Sequence, residues 1–368
     1  MKWKEAVLGL KPYQPGRSID DVKQQYGLDK IVKLASNENP FGCSSRAEEV
    51  MKDYKGSMAL YPDGNSSFLR KSVAGHLGVN ENQLLFGNGS DEVIQVISRS
   101  LLYPGVNTVM AAPTFPQYKH NAVIEGAEVR EVPLVDGKHD LEGMLQAVDQ
   151  DTSIIWLCSP NNPTGRYIEG GSLREFIEKV PEDILIVMDE AYYEYVDAAD
   201  YPDTVSLIGR HPNIIVLRTF SKIYGLASLR VGYGVGHEEL IKKLDPAREP
   251  FNTNTIGQLA ASAALSDTEF LSMCHKSNRR GLQQFYQFCD KEGLDYFPSQ
   301  GNFILIDVKS QGDEAFQFLL ERGFIVRSGN ALGFPTSIRV TIGSSEQNEG
   351  IIELLGQFLE SKKSGTAQ

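Results

Sequence analysis

Short apolar runs alternate with amphipathic helical patterns along most of the chain from about residue 84 onward. The runs are rich in β-branched and aromatic residues, and several are continuously apolar rather than alternating. Continuously apolar strands are typical of a mainly parallel sheet whose two faces are both covered by helices. The pattern therefore predicts strands at residues 84–86, 108–112, 129–133, 153–158, 184–188, 214–218 and 231–235.

Helices are predicted between and after these strands, because apolar positions recur there at helical spacing or alanines cluster. They lie at residues 93–102, 173–180, 238–244 and 256–265. Residues 1–30 combine charged residues with prolines and a glycine, so we expect an extended N-terminal arm with a short helix. Residues 31–265 are then predicted to form a large α/β domain around a mainly parallel, doubly wound sheet.

The pattern changes beyond about residue 266. A long polar helix at 268–292 is followed by mixed short strands and helices, which is typical of an α+β unit. We therefore predict a second, smaller domain over 266–368, with a frayed tail from Lys362. Its further elements are strands at 302–308, 324–327 and 337–342 and helices at 313–322 and 347–361.

Composition narrows the classes of partner and compartment. The 368 residues suggest about two domains, and 41% are hydrophobic, enough for a large buried core. A net charge of −12 disfavours nucleic acid or an anionic membrane as the main partner. The four cysteines form no C-x-x-C pair, so we expect reduced thiols and no metal site. Without a signal-like stretch or a long apolar run, the protein is expected to be soluble and cytoplasmic.

Two charged side chains follow predicted strands, where ligands bind in open α/β sheets. Lys222 comes shortly after the strand at 214–218 and could condense with a carbonyl compound, although an isolated lysine is more often a solvated loop residue. Asp189 directly follows the strand at 184–188 and could hold a pyridinium nitrogen protonated, or could simply cap a helix. Tyr192, three residues on, could donate a hydrogen bond to a ring oxygen.

Two loops add polar groups at neighbouring strand ends. The turn at 159–165 contains Asn162, whose amide could bind the same ring oxygen, although the segment could be only a rigid turn. The segment Gly87-Asn88-Gly89-Ser90-Asp91 begins a predicted helix, whose N-terminus could bind a phosphate. An ordinary N-cap at Ser90 or Asp91 is the alternative.

Arg230 and Phe115 complete the set of candidates. Arg230 opens an apolar strand and needs an anionic partner, which could be a ligand or a structural carboxylate. Phe115 offers an aromatic face on which a ring could stack. Together the candidates would suit a planar cationic ring that carries a phosphate and an aldehyde.

These motifs resemble those of the fold-type-I aminotransferases that depend on pyridoxal phosphate, and within that superfamily the chain is similar to the histidinol-phosphate aminotransferase family. The resemblance extends from Tyr13 to about Leu359. Its most specific segments are residues 36–42, 61–64, 159–165, 189–192 and 219–233.

The resemblance implies a role for each matching residue. Lys222 would bind the cofactor covalently and later transfer the proton, and Asp189 would pair with the pyridinium nitrogen. Asn162 and Tyr192 would bind the ring oxygen, and Phe115 would stack on the ring. The resemblance implies phosphate contacts for Ser90, Asp91, Thr219, Ser221 and Arg230, a contact of Tyr61 with the neighbouring subunit's phosphate in a homodimer, and substrate contacts for Tyr13, Asn37, Arg327 and Arg339.

The activity implied is transamination between histidinol phosphate and 2-oxoglutarate, giving imidazole-acetol phosphate and glutamate. An aromatic amino-acid aminotransferase, or an enzyme of dual specificity, is the nearest alternative. More distant alternatives are a decarboxylase of a phosphorylated amino acid and a non-catalytic regulatory module that binds the cofactor. The last is disfavoured because residues 1–35 are too short for a DNA-binding unit. Arg327 and Arg339 suit a doubly charged substrate group, unless both pair with surface acids.

Overall fold

The computed structural model describes residues 1–11 and 17–365 of the chain. Tyr13, which the resemblance assigns to the substrate, lies outside the described residues. The strands are β1 (Val32–Lys33), β2 (Leu84–Gly87), β3 (Asn107–Ala112), β4 (Glu128–Pro133), β5 (Thr152–Cys158), β6 (Leu185–Asp189), β7 (Ile214–Thr219), β8 (Gly232–Gly236), β9 (Phe303–Asp307), β10 (Phe324–Ile325), β11 (Arg327–Ser328) and β12 (Ser337–Thr341).

The described residues also form thirteen α-helices, several of which pack against these strands. They are α1 (Glu5–Gly9), α2 (Ile19–Tyr26), α3 (Ser45–Asp53), α4 (Ser67–Leu77), α5 (Gly89–Leu101), α6 (Gln117–Glu125), α7 (Leu141–Gln146), α8 (Gly170–Ile177), α9 (Glu238–Leu244), α10 (Thr255–Leu265), α11 (Thr268–Glu292), α12 (Gly312–Leu320) and α13 (Ser345–Gly365). The N-terminal segment thus has two helices where one was predicted. Helix α13 continues past Lys362, where fraying was predicted, and Lys362 bonds to Glu314 of α12.

A seven-stranded sheet lies at the centre of the molecule, with the order β2-β8-β7-β6-β5-β3-β4. Strand β8 is antiparallel to both neighbours and the other pairs are parallel, which confirms the predicted mainly parallel α/β fold. Successive residues of β6 enter different apolar clusters, because Ile186 and Met188 pack on one face and Leu185 and Val187 on the other. This burial on both faces explains the continuously apolar runs.

The parallel register brings three strand ends to one edge of the sheet. Cys158 of β5 lies beside Asp189 of β6, and Asp189 lies beside Leu217 of β7. The loops that follow these strands carry Asn162, Tyr192 and Lys222. Helix α5 follows β2 and begins near this edge, since β2 pairs with β8 and β8 pairs with β7.

The C-terminal unit has its own three-stranded antiparallel sheet, in the order β11-β12-β9. Helices α11, α12 and α13 bury a separate apolar cluster against it. The single strand predicted at 324–327 is wrong, because β10 pairs in parallel with β1 whereas β11 pairs with β12. Val32, within β1, and Leu34, directly after it, join the C-terminal cluster. The domain boundaries at residues 30/31 and 265/266 stay predictions.

Candidate active site

Asp189 is a buried carboxylate at the end of β6. Its side chain is enclosed, with the residue only 3% exposed, and it accepts two hydrogen bonds. The Tyr118 hydroxyl donates to Oδ2 at 2.6 Å, and the Ala191 backbone N–H donates to Oδ1 at 3.2 Å. Burial raises the pKa of Asp189 to about 6, although these two hydrogen bonds oppose the rise. Asp189 is therefore the end of a strand rather than a helix cap, and its charge is incompletely compensated.

Tyr192 lies beside two asparagines in the same cleft. Its hydroxyl oxygen accepts from Asn37 Nδ2 at 2.9 Å and from Asn162 Nδ2 at 3.4 Å. Because both asparagines donate to this oxygen, the Tyr192 hydroxyl hydrogen is directed away from them, as a donor to a further acceptor. Burial raises the pKa of Tyr192, which keeps the phenol protonated.

Lys222 is partly buried in the loop after β7. Its Nζ donates to the Ser36 carbonyl oxygen at 3.2 Å and lies 5.6 Å from the centre of the Tyr192 ring. Burial, with the nearby positive charge of Arg339, lowers the pKa of Lys222 to about 8. A solvated loop lysine would have neither this contact nor this shift. A lysine of this kind is neutral in a large fraction at mildly alkaline pH and can then act as nucleophile or base.

The first turn of α5 forms a cradle with the loop after β7. Arg230 donates to Ser221 Oγ at 3.2 Å and reaches Asp91 Oδ2 at 3.3 Å. Asn88, rather than Ser90 or Asp91, occupies the N-cap position, so the backbone N–H groups of the first turn are not capped by those side chains. Thr219 Oγ1 accepts from the Ser221 backbone N–H at 3.1 Å. Arg230 precedes β8 with a φ of 53° rather than opening the strand.

Glycine is required where β8 passes the start of α5. A Cβ at Gly232 would lie 2.3 Å from the Ser90 backbone nitrogen, and a Cβ at Gly89 would lie 2.5 Å from Arg230 Nη2. Gly89 also has a φ of 73°, a backbone conformation that residues with a side chain rarely adopt. The close approach leaves α5 directly against Arg230, so that an anion at this helix start would meet both backbone N–H groups and a guanidinium.

Two arginines of the C-terminal sheet lie opposite each other. Arg339 of β12 pairs in register with Arg327 of β11, so both side chains lie on one face of the sheet. The Arg339 guanidinium donates to Asn162 Oδ1 at 2.6 Å and to the Ala35 carbonyl oxygen at 2.7 Å. Arg339 thereby joins the cleft around Tyr192 and is not paired with a surface carboxylate in either of these contacts.

Phe115 lies against the buried Tyr118, whereas Tyr61 lies on the surface of the chain. Phe115 is partly buried and meets Tyr118 edge to face, with ring centroids 5.6 Å apart. Tyr61 is 82% exposed and stacks on Phe251 at 4.7 Å, so its own chain leaves most of the ring in solvent. The structure thus brings together Lys222, Asp189, Asn162, Tyr192, Asn37 and Arg339, and it leaves Tyr61 outside this cluster.

Sequence reasoning missed several groups of the cleft. Tyr118, the hydroxyl donor to Asp189, follows Phe115 by three residues and looks like an ordinary buried helix position. The carbonyl oxygens of Ala35 and Ser36 contact Arg339 and Lys222 through the backbone, which leaves no signal in residue type.

Comparison with known proteins defines the class. Residues 29–355 match the family model for aminotransferases of class I and II. A histidinol-phosphate aminotransferase of Geobacillus sp. (strain WCH70) is 60% identical over 99% of this chain and 100% of its own length. The enzyme of that name from Bacillus subtilis (strain 168) is 59% identical, over 98% of this chain and 100% of its own.

A solved structure agrees with these sequence matches. The crystal structure of histidinol-phosphate aminotransferase from Sinorhizobium meliloti in complex with pyridoxal-5'-phosphate has a TM-score of 0.89 and 27% identity, covering 98% of both chains. The chain therefore belongs to the class I and II aminotransferases and, within them, to the histidinol-phosphate aminotransferase family. It is a transferase enzyme. In the described parts of the chain, no helix is both long and apolar enough to cross a membrane.

Proposed function

We propose that this enzyme transfers the amino group of L-histidinol phosphate to 2-oxoglutarate in histidine biosynthesis, using pyridoxal phosphate. The products are imidazole-acetol phosphate and glutamate. The observation that carries the proposal is the 60% identity, over essentially the whole length of both proteins, to a relative with that name. The same match disfavours the aromatic amino-acid aminotransferase alternative.

The residues of the cleft fit the proposed cofactor. Asp189 is a buried carboxylate whose two hydrogen bonds, from Tyr118 and Ala191, come from uncharged donors. It would hold the pyridinium N–H of the cofactor, which would supply the missing positive charge. The start of α5, with Ser90 and Asp91 in its first turn, suits the phosphate. Thr219, Ser221 and Arg230 complete that site, and Phe115 packs on the ring. Tyr192 and Asn162 bind the ring oxygen.

Lys222 has two tasks in this proposal. When bound, pyridoxal phosphate supplies an electron sink that stabilises negative charge on the amino-bearing carbon. Lys222 Nζ would hold the cofactor through its aldehyde, with loss of water. Once the substrate amine displaces Lys222 from the cofactor, its free amine would take a proton from that carbon and return it on the cofactor side. Its lowered pKa of about 8 favours both tasks, because only the neutral amine can attack or accept a proton.

The substrate lies toward the C-terminal sheet in this proposal. Arg339 and Arg327 are neighbours across two strands, so one dianionic group can meet both guanidinium groups. Histidinol phosphate would offer its phosphate in one half-reaction, and 2-oxoglutarate would offer a carboxylate in the other. Asn37, already bonded to Tyr192, would line the substrate side. The resemblance gives the same role to Tyr13, which lies outside the described residues.

The active sites are shared within a homodimer in this proposal. Tyr61 is highly exposed beside the exposed Phe251, and Met58, Leu60 and Phe68 of the same segment are also exposed apolar residues. Apolar surface of this kind favours a protein contact. Across that contact Tyr61 would reach the phosphate of the partner subunit. The cytoplasmic location stays a prediction.

Substrate competition tests the proposed function. We expect kcat/KM to be highest for histidinol phosphate among histidinol phosphate, histidinol, phenylalanine and tyrosine, with 2-oxoglutarate as the acceptor. Removing the phosphate should lower kcat/KM at least about 100-fold, because charge-assisted hydrogen bonds contribute about 1.5–3 kcal/mol each.

Arg339→Lys should impair both half-reactions, because an ammonium cannot reproduce the planar guanidinium fork. The exposed Arg280→Lys on α11 is the matched control and should leave both unchanged. Equal activity on histidinol, or a tenfold preference for phenylalanine, would overturn the substrate assignment.

A further inference from the structure

Tyr118 makes a hydrogen bond to the acid that the proposed function pairs with the cofactor nitrogen. Its hydroxyl lies 2.6 Å from Asp189 Oδ2, and the residue is completely buried on α6. Burial, with the negative charge of Asp189, raises the pKa of Tyr118 far above its usual range. The phenol therefore stays protonated and serves only as a donor to this carboxylate.

The Tyr118 ring is held rigidly by its neighbours. It stacks on Trp156 of β5, with ring centroids 4.8 Å apart and an interplanar angle of 11°. The Trp156 indole N–H donates to Thr108 Oγ1 of β3 at 2.9 Å, and that hydroxyl donates to the Ile154 carbonyl oxygen. The sheet thus determines where the Tyr118 hydroxyl points, independently of any ligand.

Each oxygen of the Asp189 carboxylate accepts one hydrogen bond. Oδ1 accepts the Ala191 N–H and Oδ2 accepts the Tyr118 hydroxyl, which fixes the plane of the carboxylate and leaves lone pairs for one more donor. The hydrogen bond from Tyr118 also favours the ionised form. Among the described residues, the titratable groups that interact with Asp189 also include Asp91 of α5, Cys158 of β5, Glu190 and Tyr192. Asp91 and Glu190 oppose its ionisation.

We infer that Tyr118 is a positioning residue that holds Asp189 ionised and oriented toward the nitrogen of the cofactor ring. This inference rests on the proposed function. Tyr118 also meets Phe115 edge to face, and the two residues are only three positions apart in the sequence. The group that packs on the ring and the group that orients its acid are thereby positioned together.

Tyr118→Phe tests the inference, because it keeps the ring stacked on Trp156 and removes only the hydroxyl. Hydrogen bonds to charged groups are strong, so the apparent Kd of the cofactor-free protein for pyridoxal phosphate should rise about 10- to 100-fold. With ¹⁵N-labelled cofactor, the ring-nitrogen shift should move toward that of the unprotonated pyridine. At saturating cofactor, kcat should fall while the KM for the amino donor stays within about twofold.

Tyr167→Phe is the matched control. The Tyr167 hydroxyl donates to Asp200 Oδ1 at 2.7 Å, so the change removes a similar phenol–carboxylate bond at an exposed site. It should leave Kd and the ¹⁵N shift unchanged. The double variant with Asp189→Asn separates positioning from packing, because Tyr118→Phe should add little once the carboxylate is gone.

The outcomes distinguish this inference from the proposed function. If Asp189→Asn weakens cofactor binding while Tyr118→Phe changes neither Kd nor the ¹⁵N shift, Tyr118 is a packing residue and the inference fails. Additive effects of the two substitutions would overturn it as well. If the wild-type chain itself binds no pyridoxal phosphate, the proposed function fails first.

Discussion

A single side chain, Asp189, illustrates a conflict between binding and stability. Its pKa is raised from 3.8 to about 6, chiefly by burial. Because the folded value exceeds the unfolded one, the fold disfavours the ionised form. The resulting destabilisation is absent below about pH 4, develops between pH 4 and 6, and is fully present above about pH 6. A cofactor that brings a positive charge would relieve it.

Asp189→Asn should therefore stabilise the cofactor-free protein at pH 8. A shift of about two units corresponds to about 2–3 kcal/mol, and the gain should shrink as the pH falls toward 5. The same change should weaken pyridoxal phosphate binding, because the amide carries no charge. Denaturant unfolding and cofactor titration of the cofactor-free chain measure the two effects. A less stable variant at pH 8 would contradict the burial argument.

Lys222 should capture pyridoxal phosphate with a distinctive pH dependence. The rate of covalent attachment to the cofactor-free chain should rise with an apparent pKa of about 8, not the value near 10.4 of a free lysine. Arg339→Met should move this apparent pKa upward, since Arg339 is the leading positive neighbour. Arg280→Met, on the exposed face of α11, serves as the control.

Stopped-flow absorbance between pH 6.5 and 9.5 follows the attachment, and borohydride reduction with peptide mapping identifies the lysine. Modification of another lysine would refute the assignment of Lys222.

Residue type, together with position after a predicted strand, predicted part of this site. Lys222, Asp189 and Asn162 could be nominated because each follows a strand end, and strand ends meet at one edge of a parallel sheet. Asn37 and Arg339 came from family resemblance, since they lie far apart in sequence. Tyr118 could not be predicted, because a buried tyrosine in a helix gives no indication of what its hydroxyl contacts.

At the scale of elements, the junction of β8 with α5 determines the cradle. Gly232→Ala would place a methyl group 2.3 Å from the Ser90 backbone nitrogen, so the start of α5 must shift. We expect at least about a tenfold loss of affinity for pyridoxal phosphate, because helix N–H groups bind anions only in a fixed geometry.

Gly236→Ala on the same strand is the matched control for this prediction. Its nearest atoms would be Leu240 Cδ2 at 3.3 Å and Ile214 O at 3.5 Å, which is tight but tolerable. Titration of both cofactor-free variants, with melting temperatures, measures the difference. Wild-type affinity in Gly232→Ala would remove the start of α5 from the phosphate site.

Strands of the central sheet were predictable because continuous apolar runs mark burial on both faces. The two-residue strands β1, β10 and β11 were not, because they are too short to show a period. Residues 324–327 read as one strand, yet β10 and β11 pair with different partners on either side of Val326. The antiparallel direction of β8 is likewise set by tertiary pairing.

For the molecule as a whole, the segment just after β1 joins the two units at the cleft. Ser36 contacts Lys222, Ala35 contacts Arg339, and Asn37 contacts Tyr192. Since β1 pairs with β10, these three residues are anchored to the C-terminal unit while they face the ends of the central strands. The substrate side of the site thus depends on both units.

If each active site is shared between two subunits, mixing two inactive variants should restore activity. A Tyr61→Ala chain keeps its own Lys222, and a Lys222→Ala chain keeps its own Tyr61. In a mixed dimer one site receives both intact residues and the other receives neither. Random pairing makes half of the dimers mixed, so activity should recover to about a quarter of wild type.

Asp189→Ala mixed with Lys222→Ala provides the control, because both residues contact the same cleft of one chain. Every site of that mixture carries a lesion, and no recovery is expected. Activity at limiting pyridoxal phosphate, with subunit exchange verified by mass spectrometry, measures the recovery. If the Tyr61 mixture also stays inactive after exchange, Tyr61 acts only within its own chain.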